Sequence, residues 1–160
     1  MVLDCQADDP GYCDDVVKGA VRPLAEGVEG FSPSGLIRKP DGLTADDPVS
    51  VVQFGVERNV SYLLWVTLKP TYGGQVPDMK PPLQIAHAWL NVQLLETGDG
   101  SVTWQATVDP GGTGVGAKAL LPMKAPGRRI TPKEVVLKAV NNAVGDEDGD
   151  VRWELRKHQP

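Results

Sequence analysis

Apolar residues recur along this chain with two different periods, and the period predicts each element. Val16, Val17, Ala20, Val21, Leu24 and Val28 return every three to four positions, which is one buried stripe of a helix. Asp14 or Asp15 can cap its start by accepting backbone N–H bonds. Pro23 removes one backbone donor inside the pattern and predicts a kink or a division. Gly27 and Gly30 close the segment. Val49, Val52 and Val56 predict a second helix over residues 48–58, and Pro48 suits its first position because an N–H there would have no partner. Thr131-Pro132-Lys133-Glu134 combines a capping box with proline at the first helical position. Val135, Val136, Ala139, Val140 and Val144 form the stripe that follows, and Gly145 stops it.

Residues 61–68 (SYLLWVTL) are apolar on both faces, which predicts a central strand covered on both sides. Residues 85–95 alternate, with Ile85, His87, Trp89, Asn91 and Gln93 set against Ala86, Ala88, Leu90, Val92 and Leu94. Thr97-Gly98-Asp99-Gly100 signals a tight turn, and residues 101–108 (SVTWQATV) return as the hairpin partner. Shorter strands are expected at 1–4, 31–37 and 151–155. Residues 1–13 otherwise read as irregular. Residues 69–82 and 109–130 read as long loops, because proline and glycine crowd there. The expectation is a single α/β (α+β) domain over 1–160: a mixed sheet with a central long hairpin, packed by three helices.

The chain has 160 residues with 18 glycines and 14 prolines. Read by position, these residues start helices, stop them and turn hairpins, so the enrichment is punctuation and not disorder. No run of 18 apolar residues occurs, which excludes a membrane-spanning helix. Coiled-coil and collagen repeats are absent as well. The first residues lack a basic region and a long apolar stretch, so they do not read as a signal peptide. The net charge is −5 and unevenly spread. Residues 1–50 hold ten acids against four bases, whereas residues 118–138 hold six bases against Glu134 alone.

Most candidate chemistry in the sequence reduces to structure. The stretch from Gly111 to Lys118 resembles a phosphate-binding loop, but Ala117 separates the last glycine from the lysine, and Ala119 follows where that motif needs Ser or Thr. Asp146-Glu147-Asp148-Gly149-Asp150 resembles the start of a calcium loop, yet Val151 and Lys157 stand where its glycine and glutamate belong. The paired acids Asp8/Asp9, Asp14/Asp15 and Asp46/Asp47 suit helix caps. His87 lies on a strand among apolar neighbours and reads as a structural histidine; the rival reading is a small enzyme with a pocket around it. No nucleophile–histidine–carboxylate grouping, metal site or cofactor motif stands out. Cys5 and Cys13 allow three readings: two unrelated thiols, a local disulfide implying an oxidising compartment, or lipid attachment at Cys5. The basic groups Lys118, Lys124, Arg128, Arg129 and Lys133 read as a partner-binding surface beside the longest loop. No aromatic residue lies between 105 and 152 to stack a base beside them, so nucleic acid is not the expected partner.

Four stretches carry a family resemblance. Residues 15–31 are similar to a helix leading to a strand. Residues 49–68 (VSVVQFGVERNVSYLLWVTL) are similar to a helix, small-residue turn and "gadYvl" strand. Residues 85–108 (IAHAWLNVQLLETGDGSVTWQATV) are similar to a long hairpin with a recurring "lvd..TGe..w". Residues 131–145 match a closing helix. This pattern resembles the small envelope domain shared by the TolB amino-terminal domain, the CsgG-type curli-secretion lipoproteins and the LpoB-type penicillin-binding-protein activators. The chain departs from it at Glu96, in place of aspartate, and at Val60 and Ser61 before Tyr62. The resemblance implies helices against a mixed sheet, no enzyme active site, and a periplasmic or outer-membrane-tethered protein that binds other proteins. No functional residue is carried over.

The expected function is therefore a non-catalytic protein-binding or assembly component of the bacterial cell envelope, with an envelope protein as partner. Its expected place is the periplasm or the inner face of the outer membrane, and a homo-oligomer is left open. The alternative is a cytoplasmic or phage accessory protein that binds an anionic partner through residues 118–138.

Overall fold

A computed structural model of the chain describes residues 1–13, 20–26, 35–109 and 118–145. Its elements run β1 (Val2–Cys5), α1 (Arg22–Glu26), β2 (Ile37–Arg38), α2 (Pro48–Arg58), β3 (Tyr62–Val76), β4 (Leu83–Glu96), β5 (Val102–Val108), β6 (Lys118–Pro122), β7 (Lys124–Ala125), β8 (Arg128–Arg129) and α3 (Pro132–Val144). The main sheet has the order β2-β1-β3-β4-β5, and β6 pairs β4 beside β5. β1 is parallel to both neighbours, while β3, β4, β5 and β6 pair antiparallel, so the sheet is mixed as expected.

β4 organises this sheet. On one edge it pairs β3 over its whole length, from Tyr62↔Glu96 to Val76↔Leu83. On the other edge its first half pairs β6 and its second half pairs β5. The long hairpin is thus β3–β4, and the expected hairpin, β4–β5, is a shorter second one. Alternation sorts the side chains onto two faces. Leu64, Val66 and Leu68 of β3 join Ala86, Ala88, Leu90, Val92 and Leu94 of β4 in the larger core, beneath Val135, Val136, Ala139, Val140, Ala143 and Val144 of α3 and Leu24 of α1. Leu63, Trp65 and Leu95 face the other way and meet Val2, Leu43 and Val51 of α2 in a smaller core.

Residues 69–82 do not form a loop throughout. β3 continues to Val76, with a bulge between Tyr72 and Gly74, and only residues 77–82 turn. Pro70 is tolerated for a geometric reason. The Leu68 carbonyl points toward β1 and accepts from the Gln6 N–H at 2.8 Å. Pro70, two residues on, points its nitrogen to the same edge, past the end of β1, where no ladder bond is required of it. Residues 109–130 differ in the same way. β6 spans 118–122, and β7 and β8 form a two-stranded ribbon turned at Pro126-Gly127, where Gly127 has φ +80°. Residues 1–13 contain β1, whose Leu3 and Cys5 lie in and against the larger core.

Pro23 acts as its chemistry predicts. Val21 is a turn, and a new helix begins at Arg22 with Pro23 second. The rest of the 14–30 helix, most of the 31–37 strand, the glycine-rich 111–116, the acidic 146–150 and the 151–155 strand lie outside the described residues.

α2 forms where expected, but its apolar stripe does not face inward. Val49 and Val56 are 74% and 76% exposed, and the buried positions are Val51 and Gly55. The reason is a close approach. Helix α2 lies on the β4–β5 turn: a Cβ at Gly55 would come within 2.3 Å of the Thr97 side chain, and a Cβ at Gly100, which has φ +77°, within 2.5 Å of the Pro48 Cα. Thr97 completes the contact by donating its hydroxyl to the Val60 carbonyl. Replacing Gly55 or Gly100 by alanine forces helix and turn apart. We expect each to lose about 1–3 kcal/mol in urea denaturation, with Gly100→Ala the worse because its positive φ adds strain. A midpoint unchanged in both variants overturns the packing argument.

Candidate functional site

The residues predicted to bind a partner fall at two separate places. Lys124, Arg128 and Arg129 gather on the β7–β8 ribbon, with Lys124 directly opposite Arg129 and Ala125 opposite Arg128. Lys118 starts β6 and lies opposite His87 of β4, whereas Lys124 lies beyond the end of β6 and the bend at Met123. Lys133 sits in the first turn of α3. One basic stretch in sequence is therefore two basic places in space.

The ribbon is anchored at its root. Met123 N–H donates to the Pro82 carbonyl and Ile130 N–H to the Met123 carbonyl, both at 3.1 Å. Buried Gln84 donates to the Ile130 carbonyl and accepts from the Tyr72 hydroxyl, each at 2.9 Å. Burial, and then the nearby Tyr12, push the Tyr72 phenol above its ordinary range. Arg128 pairs with Glu134, and Glu134 also accepts from the Thr131 N–H at 2.8 Å in the capping box of α3. These bonds, the Thr131 N–H first, hold the Glu134 carboxyl down at about 2. Lys124 and Arg129 form no ion pair among the described residues and are exposed. The result is a fixed platform with two like charges side by side.

Cys5 and Cys13 are joined in a disulfide with their Cα atoms 5.7 Å apart. It ties the end of β1 to the helical residues 11–13. Of the three readings open to the pair, this one is realised in the structure.

His87 faces away from the larger core. Its cross-strand neighbours are Thr71 on β3 and Lys118 on β6, neither of them a carboxylate or a thiol. Among the described residues no group of three or more His, Cys, Asp or Glu is placed to hold a metal ion. On the same face lie Lys69 and Trp89, opposite one another, with the lysine ammonium 4.9 Å from the indole centroid. Next to them Asn91 accepts from Gln105 at 3.0 Å and from Thr107 at 3.2 Å. Sequence reasoning did not single out Lys69, Trp89, Asn91, Gln105 or Thr107. The alternation of residues 85–95 placed Trp89 and Asn91 on one face, but nothing local says that neither buried cluster of the described residues covers it.

No family model matches the chain, and no curated protein does. Solved structures to which it is similar include a neuraminyllactose-binding hemagglutinin homologue from Helicobacter pylori, at TM-score 0.48 and 11% identity, covering 89% of this chain and 77% of that one. Another is the PelC dodecamer from Paraburkholderia phytofirmans, at 0.42 and 11%, covering 91% and 86%. A third is lipoprotein GNA1162 from Neisseria meningitidis, at 0.41 and 12%, covering 76% and 82%. No described helix is long and apolar enough to cross a membrane.

Two measurements check this geometry. The folded Glu134 carboxyl lies at about 2 against an ordinary 4.5, so between those values the unfolded chain binds the proton first. The contribution of Glu134 is complete above pH 4.5 and is lost as pH falls toward 2. Its NMR titration should have a midpoint near 2, moving up in Arg128→Gln; a midpoint in the ordinary carboxylate range contradicts the capping network. Native, unreduced protein should show no titratable thiol, and reduction should cost about 2–3 kcal/mol of stability on the loop-entropy argument. Two free thiols would remove the bridge and favour the cytoplasmic alternative.

Proposed function

We propose that this protein is a non-catalytic binding or assembly component of the bacterial envelope, in the periplasm or at the inner face of the outer membrane. It captures an acidic protein partner through the β7–β8 ribbon. The observation that carries the reading is the cross-strand Lys124–Arg129 pair on an anchored ribbon. Like charges directly opposite one another destabilise a strand pair by about 0.2–1 kcal/mol. A partner carboxylate placed between them relieves that repulsion, and the Arg129 guanidinium adds bidentate geometry. Because the ribbon is already held by Gln84, Met123 and the Arg128–Glu134 pair, little ordering entropy is lost on contact. Arg128 is structural in this reading, Lys133 lies beside the ribbon on α3, and Lys118 lies apart from it.

Two further features support the envelope setting. A Cys5–Cys13 disulfide persists in oxidising compartments and is rare in the cytosol. The family group that the sequence resembles consists of envelope proteins that bind other proteins.

The test reverses the charge of the ribbon without touching its anchors. A tagged protein is used to capture partners from envelope extract at two salt concentrations. Lys124→Glu/Arg129→Glu should retain less than a tenth of the partner that the unaltered protein holds, and higher salt should weaken capture by the unaltered protein. Equal capture by the double variant at low salt overturns the role of the ribbon.

A further inference from the structure

Among the described residues, the sheet face opposite α3 is only half covered. Val2, Leu63, Trp65 and Leu95 lie in the smaller core beneath α2 and residues 43–45. Among the described residues neither buried cluster extends over this face beyond Trp65 and Leu95. What remains is a patch of successive cross-strand rows. Thr67, Asn91 and Thr107 form the first row, Lys69 and Trp89 the second, and Thr71, His87 and Lys118 the third. Trp89 and Asn91 are half-buried, whereas Lys69, Gln105, Thr107 and Lys118 are exposed.

The chemistry of this patch is specific. Its centre is an indole ring, a flat apolar surface with an electron-rich face. The ammonium of Lys69 rests on that ring at 4.9 Å, an exposed contact that a ligand displaces at small cost. Along one side run an amide pair and a hydroxyl. Asn91 Oδ1 is occupied by Gln105 and Thr107, which leaves the Asn91 Nδ2 donors and the Gln105 Oε1 acceptor directed to other partners. The lysines outnumber the acids: Lys69 and Lys118 stand against Asp109 at the rim, which has an interaction of its own, and Asp4 is paired with Lys39 at 3.4 Å. Among the described residues this face is positive, in a chain of net charge −5.

We infer that this face binds an anionic saccharide chain, one that carries uronic acid residues. The C–H face of a pyranose stacks on Trp89. Asn91, Gln105 and Thr107 pair with ring hydroxyls, which need a donor and an acceptor side by side. Lys69 and Lys118 flank the platform and meet the carboxylates. A protein partner fits less well, since interface cores are apolar and this one offers a single ring among polar groups. A single-stranded nucleic acid would also stack on the indole and meet the lysines, but the Cys5–Cys13 bridge points to a compartment whose anionic polymers are glycans. The inference rests on the compartment part of the proposed function and not on the ribbon.

The test is titration calorimetry with acidic hexamers (galacturonate and mannuronate), with maltohexaose as the neutral control and a thymidine decamer as the rival polymer. At least one acidic hexamer should bind saturably, and tighter than maltohexaose or the decamer. Trp89→Ala should weaken it at least tenfold. Lys69→Gln/Lys118→Gln should abolish the preference for acidic over neutral chains. Should Trp89→Ala fail to melt cooperatively, Gln105→Ala and Thr107→Ala, both at exposed positions, serve instead, each with a severalfold loss. Failure of every acidic hexamer to bind the unaltered protein overturns the inference, as does undiminished binding in the face variants or tighter binding of the decamer. Lys124→Glu/Arg129→Glu should bind the saccharide normally, and Trp89→Ala should still capture the ribbon's protein partner. Failure of one proposal is thereby separated from failure of the other.

Discussion

The register of β3 against β4 is the constraint on which the rest of the molecule depends. The two strands run side by side from Tyr62↔Glu96 to Val76↔Leu83, and each residue's face follows from that alignment. A slip of one residue would send Leu64, Val66 and Leu68 to the open side and bring Lys69 and Thr67 beneath α3. The alignment is held at one end by the helix α2 seated on the β4–β5 turn, where Gly55 and Gly100 leave no room for a side chain. At the other end a bulge at Gly73 adds one residue to β3, and beyond it Gln75 pairs with Gln84 on the core side.

The two proposed binding surfaces depend on that register. Because β4 is long, two different strands share its second edge, β5 along the later half and β6 along the earlier half. The chain leaving β6 must then turn to reach α3, and the turn is the basic ribbon. Gln84, buried in β4, reaches out to the Ile130 carbonyl and fixes the ribbon's base. That register aligns Lys69 with Trp89, and the pairing of β4 with β6 aligns His87 with Lys118, on the side away from α3. Ribbon and open face are thus both tied to β4, yet they differ in chemistry: on one, two cations without an ion pair among the described residues, and on the other, an aromatic platform with amides.

Charge is distributed to match. The acids concentrate in residues 1–50, where several cap or begin helices and turns, as Asp47 does for α2. Lys124 and Arg129 stand on the ribbon, and Lys69 and Lys118 on the sheet face opposite α3. Glu134 shows the economy of the arrangement, since one carboxylate closes the capping box of α3 and ties down Arg128.

Much of this was legible from local pattern. The capping box at Thr131, the helix start at Pro48, the break before Pro23, the alternation of residues 85–95 and the turn at Thr97–Gly100 each rest on chemistry within a few residues, and each is found in the structure. What could not be read locally was long-range pairing. Residues 69–76 look like a loop because of Pro70, Gly73 and Gly74, and only the partner strand 83–89 makes them a strand. The stripe Val49, Val52 and Val56 looks like a buried face, and only the close approach of Thr97 to Gly55 turns Val49 and Val56 outward. The basic segment looks continuous, and only the pairing of β6 with β4 carries Lys118 away from Lys124. The sequence by itself determined the helix starts at Pro48 and Thr131, the alternation of residues 85–95 and the turn at Thr97–Gly100, because backbone bonding, capping and side-chain period act over a few residues. The tertiary structure alone decided which faces are covered and which cations stand together, because burial depends on neighbours that lie far along the chain.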